Sequence, residues 1–283
     1  MVAPLLAIRD LTIDYAGHIQ AVRKANLEVR LGEVVGLVGE SGSGKSTLAS
    51  AITGLLPGGA RILSGDISFK GNVITGAHHL AQQALRGDEI AMVFQDPMTA
   101  FNPVLTIGDQ LVDFQNRMPG SAAEKRQRAI AMLARVGIPD PDLRTRYYPH
   151  ELSGGMRQRA AIAAALLVNP SLLIADEPTT ALDVTMEAQI IHLFRELRRD
   201  YGGGILIVTH HLGVVAELCD RVCVMYRGEV VEEGAVDDIF HNPRHPYTRA
   251  LLACDPARLH DRTHYLPVIT DAERATFTGA SHR

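Results

Sequence analysis

The stretch Gly39-Glu40-Ser41-Gly42-Ser43-Gly44-Lys45-Ser46-Thr47 decides the fold of this chain. Immediately before it, Val34-Val35-Gly36-Leu37-Val38 is a short apolar run of the kind that forms a buried strand, and from Lys45 to Leu56 the sequence reads as a helix. A strand, a glycine-rich loop and a helix in that order make a cradle for phosphate. Gly39, Gly42 and Gly44 permit the tight path that turns the N–H groups of the loop inward, those of Ser41 and Ser43 among them. The helix N-terminus at Lys45, Ser46 and Thr47 adds positive potential, so a polyphosphate is the natural guest. Lys45 then falls to the β- and γ-phosphates and Ser46 to a Mg²⁺ ion. A glycine-rich turn with a chance lysine is the plain alternative, and the flanking strand and helix weigh against it.

A second apolar strand, Leu172-Leu173-Ile174-Ala175, runs into Asp176-Glu177. An aspartate at the end of a buried strand can reach Mg²⁺ through water, and a glutamate one residue later points elsewhere and can polarise an attacking water. Alone, such a pair would equally suit a solvated strand-to-turn junction. With a phosphate loop upstream it reads as the hydrolytic part of a nucleotide site.

The third element is Leu152-Ser153-Gly154-Gly155-Met156-Arg157-Gln158-Arg159, at the head of an alanine-rich stretch, Arg157 to Val168, of strong helix propensity. A helix opening on Ser153, Gly154 and Gly155 offers N–H groups and a hydroxyl to an anion. A plain helix cap needs the serine but not the glycine pair. In chain order, 39–47, 152–159 and 172–177, the three elements resemble the nucleotide-binding subunits of ABC transporters, and the resemblance runs from about residue 5 to residue 255. It implies an α/β fold: a P-loop ABC-type ATPase with a RecA-like parallel-sheet core, an antiparallel β lobe and an inserted α-helical subdomain. It implies ATP and Mg²⁺ as ligands. It also implies that Ser153, Gly154 and Gly155 face the γ-phosphate of an ATP held by the phosphate loop of a different subunit.

Further residues match the family in the expected order. Tyr15 resembles the aromatic that stacks on adenine. Gln95, in Phe94-Gln95-Asp96-Pro97, resembles the glutamine that joins the catalytic core to the helical subdomain and senses the γ-phosphate through Mg²⁺ and water. Asp183, in Ala181-Leu182-Asp183, resembles the aspartate that crosses the dimer interface, and His210, after Ile205 to Thr209, the switch histidine that contacts the γ-phosphate. Read without the resemblance, a Tyr after a strand is as often a packing residue and a His at a strand end is usually structural; for His210 position and order favour the functional reading. The neighbour His211 carries no such assignment.

Composition agrees. At 283 residues the chain is long enough for one large core or a core with a smaller lobe, and a hydrophobic fraction of 46% supports a compact globule. A net charge of −4 without a long basic run gives nucleic acid little to hold. The 3 cysteines, Cys219, Cys223 and Cys254, form no metal pattern and are expected to pack. The longest apolar stretches, such as Ala160 to Val168, are roughly half the twenty or so residues that span a bilayer. The N-terminus lacks the charged start and apolar centre of a secretory signal, so the chain is expected at the cytoplasmic face of the cell membrane, held there by partners. The resemblance names those partners: two transmembrane permease subunits, a second ATPase subunit, related or identical, and indirectly a periplasmic or lipid-anchored solute-binding protein.

Along the chain, Leu5 to Tyr15, Ala25 to Val29, Asp66 to Phe69 and Ile90 to Phe94 read as strands. From Asn102 to Asn169 the pattern turns helical: Ser121 and Glu124 form a capping box, Ile130, Leu133 and Val136 keep helical spacing, and Gly137 is a stop. Ile190, Ile191, Phe194 and Leu197 give one apolar helix face ahead of Gly202-Gly203-Gly204. A last strand pair is expected at Val222 to Tyr226 and Glu229 to Glu232. The expected organisation is a nucleotide-binding domain over 1–255, with its helical subdomain at 102–169, and a short tail over 256–283.

The segment His241-Asn242-Pro243-Arg244-His245-Pro246-Tyr247-Thr248-Arg249 is similar to the element that follows the core in ATPases of the dipeptide, oligopeptide and nickel importer group. Tyr148-Pro149-His150-Glu151 and Leu182-Asp183-Val184-Thr185 resemble the same group. The Pro-Tyr segment carries no derivable chemistry and suits a helix start, with Pro246 early in the helix. Many members of the group continue into an extension with clustered cysteines, some of them iron–sulfur ligands. Ala257 to Arg283 has no cysteine, so no cluster is expected there, and the last fifteen or so residues are expected to be poorly ordered. Small peptides are the expected cargo, with nickel complexes or oligosaccharides as alternatives. A soluble ABC protein acting on ribosomes or DNA would carry two nucleotide cores or a long coiled-coil insertion, and a module that only bound ATP would need neither Glu177 nor His210.

Overall fold

A computed structural model describes residues 3–15, 19–76, 85–180, 182–254 and 277. The strands are β1 (Leu6–Tyr15), β2 (Ile19–Val29), β3 (Val34–Val38), β4 (Ala60–Phe69), β5 (Asn72–Val73), β6 (Ile90–Val93), β7 (Leu172–Asp176), β8 (Gly204–Thr209), β9 (Arg221–Tyr226) and β10 (Glu229–Ala235). They divide between two compact units, Met1–Thr75 with Ile207–Arg283, and Gly76–Leu206.

In the first unit β2-β1-β4-β5 form an antiparallel sheet. Leu6, Ile8, Leu11 and Ile13 of β1 are fully buried, and the register shifts between Ile8 and Leu11, where Asp10 takes a φ of 45°. That is a bulge, which re-aims the strand without breaking the ladder. The strands expected from Ala25 and Asp66 begin earlier, at Ile19 and Ala60. The reason is cross-strand pairing: Tyr15 sits opposite both residues, so β1 carries the ladder out past Gln20 and Arg61, polar residues that interrupt the apolar run.

β3 is buried along its whole length and runs parallel to β9, with β10 antiparallel on the other side of β9. The helix Leu212–Leu218 packs closely here, because Gly36 leaves room for Val215: a Cβ at 36 would lie 3.0 Å from a Val215 methyl. Cys223 of β9 is fully buried, and burial pushes its thiol pKa up to about 12, as suits a packing residue. The helix Lys45–Thr53 ends three residues before the expected Leu56, since Gly54 turns left-handed at φ 66° and its N–H closes on Ala51.

In the second unit β6 and β7 pair in parallel, from Ile90 opposite Leu172 to Val93 opposite Ala175. Helices occupy Ile107–Asp113, Ala122–Arg135, Pro141–Arg144, Gly154–Leu166 and Val184–Asp200. The capping box is made: Ser121 N–H donates to Glu124 Oε2 at 2.6 Å and Glu124 N–H to Ser121 Oγ at 3.3 Å. Gly137, at φ 75°, follows the end of that helix. On Val184–Asp200 the buried face is Ile190, Leu193, Phe194 and Leu197 rather than one including Ile191, because spacings of three, four and seven keep residues on one stripe. β8 is buried at every position and spans the point where the chain passes from one unit to the other.

Candidate functional site

The phosphate loop is built around glycines that no other residue replaces. Gly39 has φ 154° and Gly44 φ 105°, and a Cβ at these positions would stand 2.1 Å from the Met225 carbonyl oxygen and 2.2 Å from that of Ala21. The end of β9 and the chain of β2 therefore press directly on the loop. Gly228, in the turn between β9 and β10, donates its N–H to Ser43 O at 2.9 Å and fixes the loop from the same side. Lys45 is buried, and its Nζ donates to the carbonyls of Gly39 at 2.7 Å and Glu40 at 2.9 Å. The ammonium is thus held inside the loop's curve. Ser41, Gly42 and Ser46 lie at the surface of the loop, while Ser43 is buried.

Tyr15, the last residue of β1, is half-buried, and its hydroxyl lies 3.2 Å from Thr47 Oγ1. The bond tethers the ring beside the first turn of the loop's helix. A cavity of about 750 Å³ opens here, with Tyr15, Gln20, Gly42 and Gly228 among its lining residues. His210 is exposed just after β8, its ring edge-on to that of His211 at 4.4 Å between centroids. The first unit therefore carries Tyr15, the phosphate loop and His210.

Gln95, Asp176, Glu177, the Ser153–Gly155 segment and Asp183 belong to the second unit. Asp176 ends β7 and is buried. Glu177, also buried, has φ 50°, a left-handed conformation that costs a residue with a side chain about 1 kcal/mol or more. The chain therefore turns sharply just after β7. The Glu177 carboxylate accepts from Thr180 Oγ1 at 2.8 Å, and its carbonyl accepts from Thr180 N–H at 3.2 Å. Thr180 is a holding residue that the sequence did not single out. Gln95 is exposed, two residues beyond β6.

Ser153 caps the helix Gly154–Leu166, its hydroxyl accepting from Met156 N–H at 3.3 Å. The helix opens on the glycine pair itself, earlier than the alanine-rich stretch. Gly154 is exposed, and a Cβ there would meet nothing within 4 Å. Gly155 is the reverse: a Cβ would fall 1.6 Å from the Met186 terminal methyl. Met186 N–H in turn donates to Asp183 Oδ1 at 2.9 Å, capping Val184–Asp200. Ser153–Gly155 and Asp183 are therefore brought together through Met186, with Ser153, Gly154 and Asp183 exposed at the two helix starts and Gly155 buried against Met186.

The Pro-Tyr segment does form a helix start, Pro246–Ala253, with Pro246 at its first position. It also does something that its sequence gave no sign of. The Tyr247 hydroxyl, fully buried, accepts the Glu40 N–H of the phosphate loop at 2.9 Å. Of the tail, Phe277 alone is described, buried against Tyr226 and Tyr247; the expectation of poor order otherwise falls outside the described residues.

Over residues 22–180 the sequence matches the family described as ABC transporter. The chain belongs to that family. Residues 231–278 match a second family, the C-terminal region of oligopeptide/dipeptide transporters. The chain is 48% identical to the oligopeptide transport ATP-binding protein OppD of Bacillus subtilis, over 90% of this chain and 73% of that one. It is 47% identical to the dipeptide transport ATP-binding protein DppD of the same organism, over 89% and 77%. Among solved structures, cbiO1 of Clostridium perfringens, part of the ABC transporter complex cbiONQ, matches with a TM-score of 0.74 and 30% identity, over 85% of this chain and 92% of that one. The ATP-binding cassette MJ0796, as a dimer in a post-hydrolysis state bound to ADP and Pi, matches with a TM-score of 0.72 and 29% identity, over 82% and 98%. The α/β ABC ATPase fold expected from the sequence is the fold of this chain.

Proposed function

We propose that this chain is the ATP-hydrolysing subunit of an ABC importer for small peptides. The observation that carries the peptide reading is the match of 231–278 to the oligopeptide/dipeptide C-terminal region, in a chain whose relatives bear oligopeptide and dipeptide transport names. Uptake of labelled di- and oligopeptides by cells should be lost when this gene is deleted and return with the intact chain. Normal peptide uptake in the deletion, with loss of nickel or oligosaccharide uptake instead, would contradict the reading.

In this proposal the residues divide the work as follows. Tyr15 stacks on the adenine, and the loop Gly39 to Thr47 binds the phosphates through N–H groups and Lys45. Glu177 orients the attacking water, with Thr180 fixing its carboxylate, and His210 and Gln95 attend the γ-phosphate. Ser46, Gln95 and Asp176 supply only oxygen donors, the set that suits Mg²⁺. When bound, that ion would neutralise charge on the β- and γ-phosphate oxygens. Ser153, Gly154, Gly155 and Asp183 close the site of a facing ATPase subunit, identical or related. We assign the nucleotide-binding domain to 1–255, with 102–169 as its helical subdomain.

Replacing Lys45 by Ala should weaken nucleotide binding itself, because a charge-assisted contact of about 1.5–3 kcal/mol is lost, on the order of a ten- to hundredfold rise in Kd. Calorimetry with a non-hydrolysable ATP analogue measures it. Unchanged affinity would count against the phosphate-loop assignment.

No helix of the described residues is long and apolar enough to cross a membrane. We propose that the chain attaches peripherally, by docking to two permease subunits through the helical region 102–169 and Gln95, beneath a solute-binding protein that delivers cargo. Flotation with vesicles should bring the chain to the membrane fraction only when the cognate permeases are present. Equal flotation with permease-free vesicles would be evidence against docking.

A further inference from the structure

Tyr247 is the second residue of the helix Pro246–Ala253 and is wholly buried. Its ring packs on Tyr226 with centroids 4.2 Å apart and on Phe277 at 5.8 Å, and Phe277 also meets Tyr226 at 5.7 Å. The backbone leading into the helix is clamped as well. Glu232 of β10 accepts the N–H of Arg244 at 2.6 Å and that of His245 at 3.0 Å, and His245 Nδ1 accepts the Tyr247 N–H at 3.2 Å. Burial lowers the pKa of His245, against the opposing charge of Glu232, and so favours the neutral ring that can accept this bond. The tyrosine is thus rigidly placed by packing around its ring and by hydrogen bonds along its backbone.

What it holds is one peptide of the phosphate loop. The Gly39–Glu40 peptide donates its N–H, that of Glu40, to Tyr247 Oη at 2.9 Å, and its carbonyl, that of Gly39, accepts from Lys45 Nζ at 2.7 Å. A group that fixes one end of this peptide fixes the direction of its carbonyl, and that carbonyl is one of the two that hold the lysine ammonium. Packing alone would be served by phenylalanine. A phenol buried to this depth carries a desolvation cost that its partner must offset.

We propose that Tyr247 is a positioning residue for the phosphate loop: its hydroxyl sets the Gly39–Glu40 peptide, and through the Gly39 carbonyl Lys45, so that the C-terminal region tunes ATP affinity without touching the nucleotide. The proposal rests on the reading that Gly39 to Thr47 holds the phosphates of ATP.

The test uses the purified full-length chain, with calorimetry of a non-hydrolysable ATP analogue in Mg²⁺ buffer and thermal unfolding in parallel. Tyr247→Phe keeps the ring and its packing and should raise Kd about five- to tenfold, the scale of one lost neutral hydrogen bond, with little change in Tm. Leu252→Ala, a buried position on the same helix, should lower Tm further yet leave Kd at the wild-type value. A Tyr247→Phe chain that binds within twofold of wild type would overturn the inference, as would a Leu252→Ala chain whose Kd rises as much. Lys45→Ala keeps the two readings apart. If it binds as wild type, the phosphate-loop assignment falls and takes the inference with it; if it weakens binding while Tyr247→Phe does not, the role of Tyr247 alone falls.

Discussion

Glu177→Gln is expected to bind ATP as the wild type does and to turn over about 10² to 10⁴ times more slowly, the usual cost of losing a general base. The amide keeps the shape of the carboxylate, and its oxygen can still accept from Thr180 Oγ1, which lies 2.8 Å from Glu177 Oε2. Glutamine tolerates the left-handed backbone at φ 50° about as well as glutamate, so the turn after β7 should persist. What disappears is the negative charge that orients and deprotonates water. Phosphate release from the chain assembled with its permeases is the measurement, and a near-normal rate would remove Glu177 from the catalytic role.

Gly154→Asp is expected to abolish ATP-driven pairing while leaving the single chain intact. The position is open, with nothing within 4 Å of a Cβ, and it is the first residue of a helix, where a carboxylate is favourable by about 0.3–1 kcal/mol. The variant should therefore unfold at the wild-type temperature or slightly above it and bind ATP with the wild-type Kd. Its failure should appear only when a γ-phosphate has to approach that helix start, since the added carboxylate opposes it by volume and by charge alike. Sedimentation with ATP should show monomers where the wild type pairs. ATP-dependent pairing of Gly154→Asp at wild-type strength would show that the Ser153–Gly155 segment does not receive a phosphate.

Much of this could be read before any coordinates, and the reasons are local. Gly39, Gly42 and Gly44 announce their loop because only glycine can take its backbone path, and Ser121 with Glu124 announces a helix start because two hydrogen bonds of fixed spacing define it. Pro246 marked its helix for the same kind of reason. What stayed hidden depended on partners far away in sequence. The opening stretches of β2 and β4 interrupt their apolar residues with Gln20, Arg23 and Arg61, and they pair as strand opposite β1. Glu177 gave no sign of its left-handed turn, which a glycine there would have advertised. Ser153 and Asp183 read as groups for a facing subunit, and the structure adds that each caps its own helix. Tyr247 showed only as a residue after a proline; its hydrogen bond reaches a loop more than two hundred positions earlier, and no periodicity or spacing reports such a contact.

The central claim is that this chain holds ATP on its own phosphate loop and completes the ATP site of a facing subunit with its Ser153–Gly155 segment. A mixed pair tests it most directly: one subunit with Gly154→Asp, its partner with an intact signature, and nucleotide occupancy and hydrolysis followed separately at the two loops. The account predicts that the site on the variant's own Lys45 survives and that the site on the partner's loop fails. Loss of the variant's own site with survival of the partner's would contradict it.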